Sequence, residues 1–87
     1  SKSMMILRNH GILTVGRDVP ETFTYLYFLM KACEIQVKAQ SCGPVYVPTQ
    51  QAIDTTADQS GSLGKAAKLT WPALLRLLDA MSPGYNV

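Results

Sequence analysis

His10 is the only histidine in the 87-residue chain. It closes the run Ile6-Leu7-Arg8-Asn9 and precedes Gly11. That places it where an apolar strand ends and side chains emerge at the rim of a sheet. Neutral imidazole is a common metal ligand, and a glycine beside it lets a ligand or substrate approach the backbone. A metal site takes three or four protein ligands or waters. The rest of the chain offers only cysteines and carboxylates on helices, in no recognisable constellation. By its own residues His10 is therefore either one ligand of a site completed elsewhere or a histidine hydrogen-bonded within a turn.

The remaining reactive groups are weaker candidates. Glu34 and Asp79 are lone carboxylates on helices, and paired acid–base work needs a partner that neither has. Cys33 falls in an apolar stripe with nothing cationic beside it to lower its pKa. The link from Gly61 to Gly64 lacks the following Gly-Lys-Ser/Thr of a phosphate loop. Trp71, at a predicted helix start, reads as a core anchor.

These residues need elements to position them. Met4-Met5-Ile6-Leu7 is a continuous apolar run, and Ile12-Leu13-Thr14-Val15 resumes a β-prone pattern after Asn9 to Gly11. Two strands, or one bent strand, are expected. The first run does not alternate, so both of its faces should be buried. Asp18 reads as a helix N-cap, with Pro20 in the first turn and Glu21 three residues on, the pattern of a capping box. Phe23, Leu26, Tyr27, Met30, Cys33 and Val37 then share one face, while Thr24, Lys31, Glu34 and Lys38 form a wet stripe. Ser41-Cys42-Gly43-Pro44 stops the helix. One long helix from Asp18 to Ser41 follows.

Val45-Tyr46-Val47 reads as a short extended piece. Thr49 could cap a helix to Gln59, with Ile53 and Ala57 inward. Ser60 to Gly64 reads as a flexible connection. Thr70 would cap a closing helix with Pro72 in its first turn and Trp71, Leu74, Leu75, Leu78 and Met81 buried.

Composition limits the classes. Charged residues make up 16% and apolar residues 47%, which argues against disorder. Eight basic and six acidic residues give a net charge of +2 without any basic cluster, so nucleic-acid binding has no support. The longest nearly apolar stretch, Phe23 to Met30, is far below the ~20 residues of a membrane span. Two cysteines in no metal-like spacing suggest neither a disulfide framework nor a zinc module, and a reducing, cytoplasmic setting is the default. Two or three short strands cannot cover the broad apolar faces of two helices. The chain is therefore expected to be a piece of a larger α/β domain, or to complete its sheet with a partner chain.

The segment from Ile6 to Gly16, Ile-Leu-Arg-Asn-His-Gly-Ile-Leu-Thr-Val-Gly, resembles the second histidine segment of the class II aldolase/adducin family. The likeness continues through Asp18 to Phe23, through Ala32-Cys33-Glu34-Ile35-Gln36-Val37, and into Trp71 to Asp79. The resemblance implies a three-layer α/β/α domain with a mainly antiparallel sheet, usually tetrameric, of which residues 1–87 would be the C-terminal portion. It also implies a divalent metal, commonly zinc, held by an upstream His-x-His and by the histidine that matches His10, with Asn9 and Gly11 shaping its loop. An upstream acidic residue would move the proton. A small-molecule substrate, such as a sugar phosphate or hydroxy-keto acid, and a lyase or epimerase reaction are what the enzymes of the family suggest. The alternative is an adducin-like head that assembles without chemistry. On either reading no catalytic residue is expected within these 87 residues.

Overall fold

The structure, a computed structural model, describes residues 2–86. Strand β1 (Met4–Leu7) and strand β2 (Gly11–Thr14) form an antiparallel hairpin. Met4 pairs with Thr14 and Leu7 with Gly11. Val15 N–H donates to the Ser3 carbonyl at 2.9 Å and extends the pairing by one rung. Helix α1 runs Val19–Ser41, α2 Gln50–Ser60 and α3 Leu63–Met81.

Helix α1 begins as its residues dictate. Asp18 is extended, and its carboxylate accepts the Glu21 N–H at 2.9 Å. Glu21 does not complete a capping box. Its carboxylate reaches back one residue further, to Arg17, accepting from the backbone N–H at 3.3 Å and from Nε at 2.9 Å. At the other end Gly43 takes φ +128°, a backbone that favours glycine just past a helix.

The hairpin is tied to α1 through Thr22. Thr14 Oγ1 donates to the Thr22 carbonyl at 3.2 Å. Gly16 lies so close that a Cβ there would stand 2.6 Å from Thr22 Oγ1 and 2.9 Å from its backbone nitrogen. Helix α3 packs on α1, with Phe23 and Trp71 edge-to-face at 5.5 Å between ring centroids.

Several expectations fail in instructive ways. Helix α3 starts at Leu63 rather than at a Thr70 cap, and Pro72 sits inside it. The run Lys65-Ala66-Ala67-Lys68-Leu69 has high helix propensity, and the helix takes in Leu63 and Gly64 of the stretch read as flexible, leaving Gly61-Ser62 as the turn after α2. Thr70 Oγ1 donates to the Ala66 carbonyl at 3.1 Å instead of capping. Helix α2 has the predicted Thr49 cap, which accepts the Ala52 N–H at 3.2 Å. It is exposed throughout, Ile53 included. Val45-Tyr46-Val47 joins no sheet.

Burial is the largest correction. Neither face of β1 is buried within this chain; Ile6 is 69% exposed. Phe23 and Met30 are exposed, and Leu26 and Cys33 are half-buried. The residues of α1 that are buried are Glu21 and Thr24, the latter assigned by periodicity to the wet stripe. The physical reason lies in α3. Its small residues Gly64 and Ala67 are the buried ones, and they let its first turns approach α1 closely where Glu21 and Thr24 lie. The broad apolar stripes of α1 and β1 are left without cover. The molecule measures 47 × 27 × 23 Å. Its radius of gyration, 15.9 Å, exceeds the roughly 12 Å of a compact domain of this length.

Candidate functional site

His10 occupies the hairpin turn, exposed as the rim position required. Its N–H donates to the Leu7 carbonyl at 3.2 Å. Asn9 has φ +60° and is the only non-glycine residue with positive φ among the described residues. Gly11 follows at φ +143°. A Cβ at Gly11 would meet nothing within 4 Å, so glycine serves there for its backbone and not for space. The His10 ring makes one hydrogen bond among the described residues, between Nδ1 and the Arg8 carbonyl at 3.1 Å.

The turn thus presents one imidazole with its second ring nitrogen open. That fits one position of a metal site. No group of three or more His, Cys, Asp or Glu side chains able to hold a metal occurs among the described residues. The remaining ligands of any such site lie outside these residues.

The other candidates gain nothing from the fold. Glu34 accepts from Lys31 Nζ at 3.5 Å with both side chains about half exposed, an ordinary surface pair. Cys33 is half-buried and Cys42 exposed, both as free thiols. Trp71 packs on the exposed Phe23 and is only half-buried, and Leu78 and Met81, expected in the same buried stripe, are exposed.

Sequence reasoning missed the cluster around Glu21. This carboxylate, with its residue only 7% exposed, accepts from Arg17 and from the Tyr25 hydroxyl at 2.6 Å. The Tyr25 hydrogen bond, followed by that of Arg17, holds its pKa below the ordinary glutamate value. The same bond pushes the Tyr25 hydroxyl up. Gly64 closes the cluster, since a Cβ there would lie 3.0 Å from Arg17 Nη2 and 3.4 Å from Glu21 Oε1. The spacing of Glu21 and Tyr25 was the available signal, because residues four apart share a helix face; Arg17 precedes the N-cap and gave none.

A two-stranded antiparallel hairpin backed by a long helix and a closing helix is a partial α/β domain. The model of the class II aldolase and adducin N-terminal domain matches residues 1–37, the hairpin and most of α1. A protein of Pseudomonas aeruginosa whose name places it among the class 2 aldolase proteins is 43% identical over 99% of this chain and 36% of its own length. A similarly named protein of Caulobacter vibrioides is 41% identical over 97% of the chain and 34% of its own. Rat alpha-adducin is 38% identical over 95% of the chain and 13% of its own length. No solved structure matches. The chain belongs to the class II aldolase and adducin family. It spans about a third of the length of the two bacterial relatives.

Proposed function

We propose that residues 1–87 are the C-terminal part of a single class II aldolase-like domain, and that His10 supplies one imidazole to a divalent cation, zinc, in the whole protein. The observation that carries this reading is the exposed His10 on a turn built by Asn9 and Gly11, within the segment that the family model matches. When bound, such a cation polarises a substrate carbonyl. The chain's own contribution is positional. The hairpin holds the imidazole at the rim, and the Thr14 and Gly16 contacts to Thr22 fix the hairpin on α1. The reaction proposed is carbon–carbon lyase or epimerase chemistry on a small sugar phosphate or hydroxy-keto acid, in a cytoplasmic homotetramer. The remainder of the domain would cover the apolar faces of β1 and α1.

The likeness to alpha-adducin over 95% of the chain supports a second reading, a head domain that assembles without chemistry. Metal analysis of the whole protein and of its His10→Ala variant separates the two. On the enzyme reading the native protein holds zinc, with an imidazole nitrogen of His10 at ~2.0–2.1 Å from the metal. The variant then keeps its fold and loses most metal and turnover. A native protein without metal, or a variant retaining both metal and turnover, removes the role of His10 and favours the adducin-like reading.

A further inference from the structure

The turn that carries His10 also decides which of its ring nitrogens bears the proton. Leu7 to His10 form a β-turn closed by the His10 N–H on the Leu7 carbonyl. Of its two central residues Arg8 and Asn9, only Asn9 has positive φ. Positive φ at the third position alone is the mark of type II turns, which call for glycine or asparagine there. A type II turn differs from a type I turn by a flip of its central peptide, here the unit that carries the Arg8 carbonyl. In the observed state that carbonyl lies 3.1 Å from His10 Nδ1.

A carbonyl oxygen can only accept, so the bond requires hydrogen on Nδ1. We infer that the turn locks neutral His10 in the Nδ1–H tautomer, with Asn9 as the positioning residue, and leaves the Nε2 lone pair free to face a ligand. In water a free histidine side chain favours the opposite tautomer, so the turn works against an intrinsic preference. An imidazole whose outer nitrogen is a bare lone pair, and whose inner N–H is held by a backbone carbonyl, has the arrangement that orients metal-bound histidines. The assignment deepens the metal reading of His10, yet it concerns the metal-free state of the whole protein and can be measured there.

In the whole protein the ring signals of His10 are those lost in the His10→Ala variant. The test is nitrogen-15 NMR of the ring in metal-stripped protein, at a pH well above the ordinary imidazole range of about 6.5. A protonated ring nitrogen resonates far upfield of a bare one. The expected native spectrum has Nδ1 protonated and Nε2 bare as the majority form. Asn9→Gly, which accepts positive φ, should keep that pattern. Asn9→Val, whose β-branch disfavours positive φ, should flip the peptide and return the majority to Nε2–H, as in free histidine. Proton contacts between the paired residues Met5 and Leu13 report whether the hairpin persists in each variant. A native chain with Nε2–H in the majority overturns the inference. So does an Asn9→Val variant that keeps its hairpin and its Nδ1–H form. Absence of metal from the whole protein would remove the metal role and leave the tautomer assignment standing.

Discussion

Tyr25 donates its hydroxyl hydrogen to Glu21 Oε1 across 2.6 Å, one helical turn apart on α1. Arg17 holds the other carboxylate oxygen at 2.9 Å. The three residues join the β2–α1 connection, the first turns of α1 and the start of α3 at one point.

Stability should therefore fall at both ends of the pH range. The Tyr25 and Arg17 bonds lower the folded pKa of Glu21. Its contribution is complete above the ordinary glutamate value and is lost as pH drops through the lowered folded value. Tyr25 behaves oppositely. Its folded pKa is raised, so its contribution is complete below the ordinary phenol value and is lost as pH climbs through the raised one. Melting temperatures across pH should show both declines. Glu21→Gln should lower the neutral-pH value and flatten the acid limb, and an unchanged acid limb would contradict the linkage.

Gly16→Ala should be severe for its size. The added Cβ would meet backbone as well as side chain at Thr22, so relief requires the hairpin to move off α1. A cost of about 1–3 kcal/mol is typical of such overpacking. Denaturant titration gives the magnitude, and a neutral result would mean that the hairpin and helix are not in the contact described.

Asp18→Ala removes the acceptor of the Glu21 N–H. Loss of an N-cap costs about 0.5–2 kcal/mol. Asp18→Asn or Asp18→Ser should restore most of it. Equal losses in all three variants would show that the carboxylate acts by charge and not as a cap.

Limited chymotrypsin digestion should cut first after Tyr46. Its residue is 96% exposed, in a connection without regular structure between α1 and α2, and such segments are preferred sites of nicking. Mass spectrometry of the earliest fragments identifies the site. A first cut at Tyr27 or Phe28 would mean that α1 opens more readily than the connection.

The 87-residue chain by itself should bind hydrophobic dyes and melt broadly. Met5, Ile6, Val37 and Met81 are among its exposed apolar residues, and large uncovered patches of this kind mark interfaces or aggregation. A sharp two-state melt of a dilute monomer would show that the exposed faces need no cover.

What could be read from the residues was what local chemistry decides. The hairpin around Asn9-His10-Gly11, the Asp18 and Thr49 caps and the stop at Gly43 all depend on neighbours within a few positions. The start of α3 was misread because Thr70 and Pro72 imitate a helix beginning, while the Lys65 to Leu69 propensity favours continuation. Burial was misread because it is set by a partner. Periodicity groups the apolar residues of α1 on one face, but within this chain that face stays largely exposed and α3 covers Glu21 and Thr24 instead. The placement of His10 on a strand rim was legible. A hydrogen bond within the turn was foreseen as one of its two readings, but the partner, the Arg8 carbonyl, was not, since that depends on a peptide orientation that only coordinates reveal.

At ~1.5 Å per residue the 23-residue α1 is about 34 Å long. It acts as a spacer between the His10 hairpin near its start and the connection after Ser41. Helix α2 packs extensively on none of the other elements. The segment from Gly43 to Ser60 returns the chain from the far end of α1 to Gly64, beside Arg17 and Glu21 at its start, so it can gain residues or bend more readily than it can lose them. Length variation among relatives of this chain is accommodated most cheaply there, so two members could differ widely in outline at that end while keeping the same histidine geometry at the other.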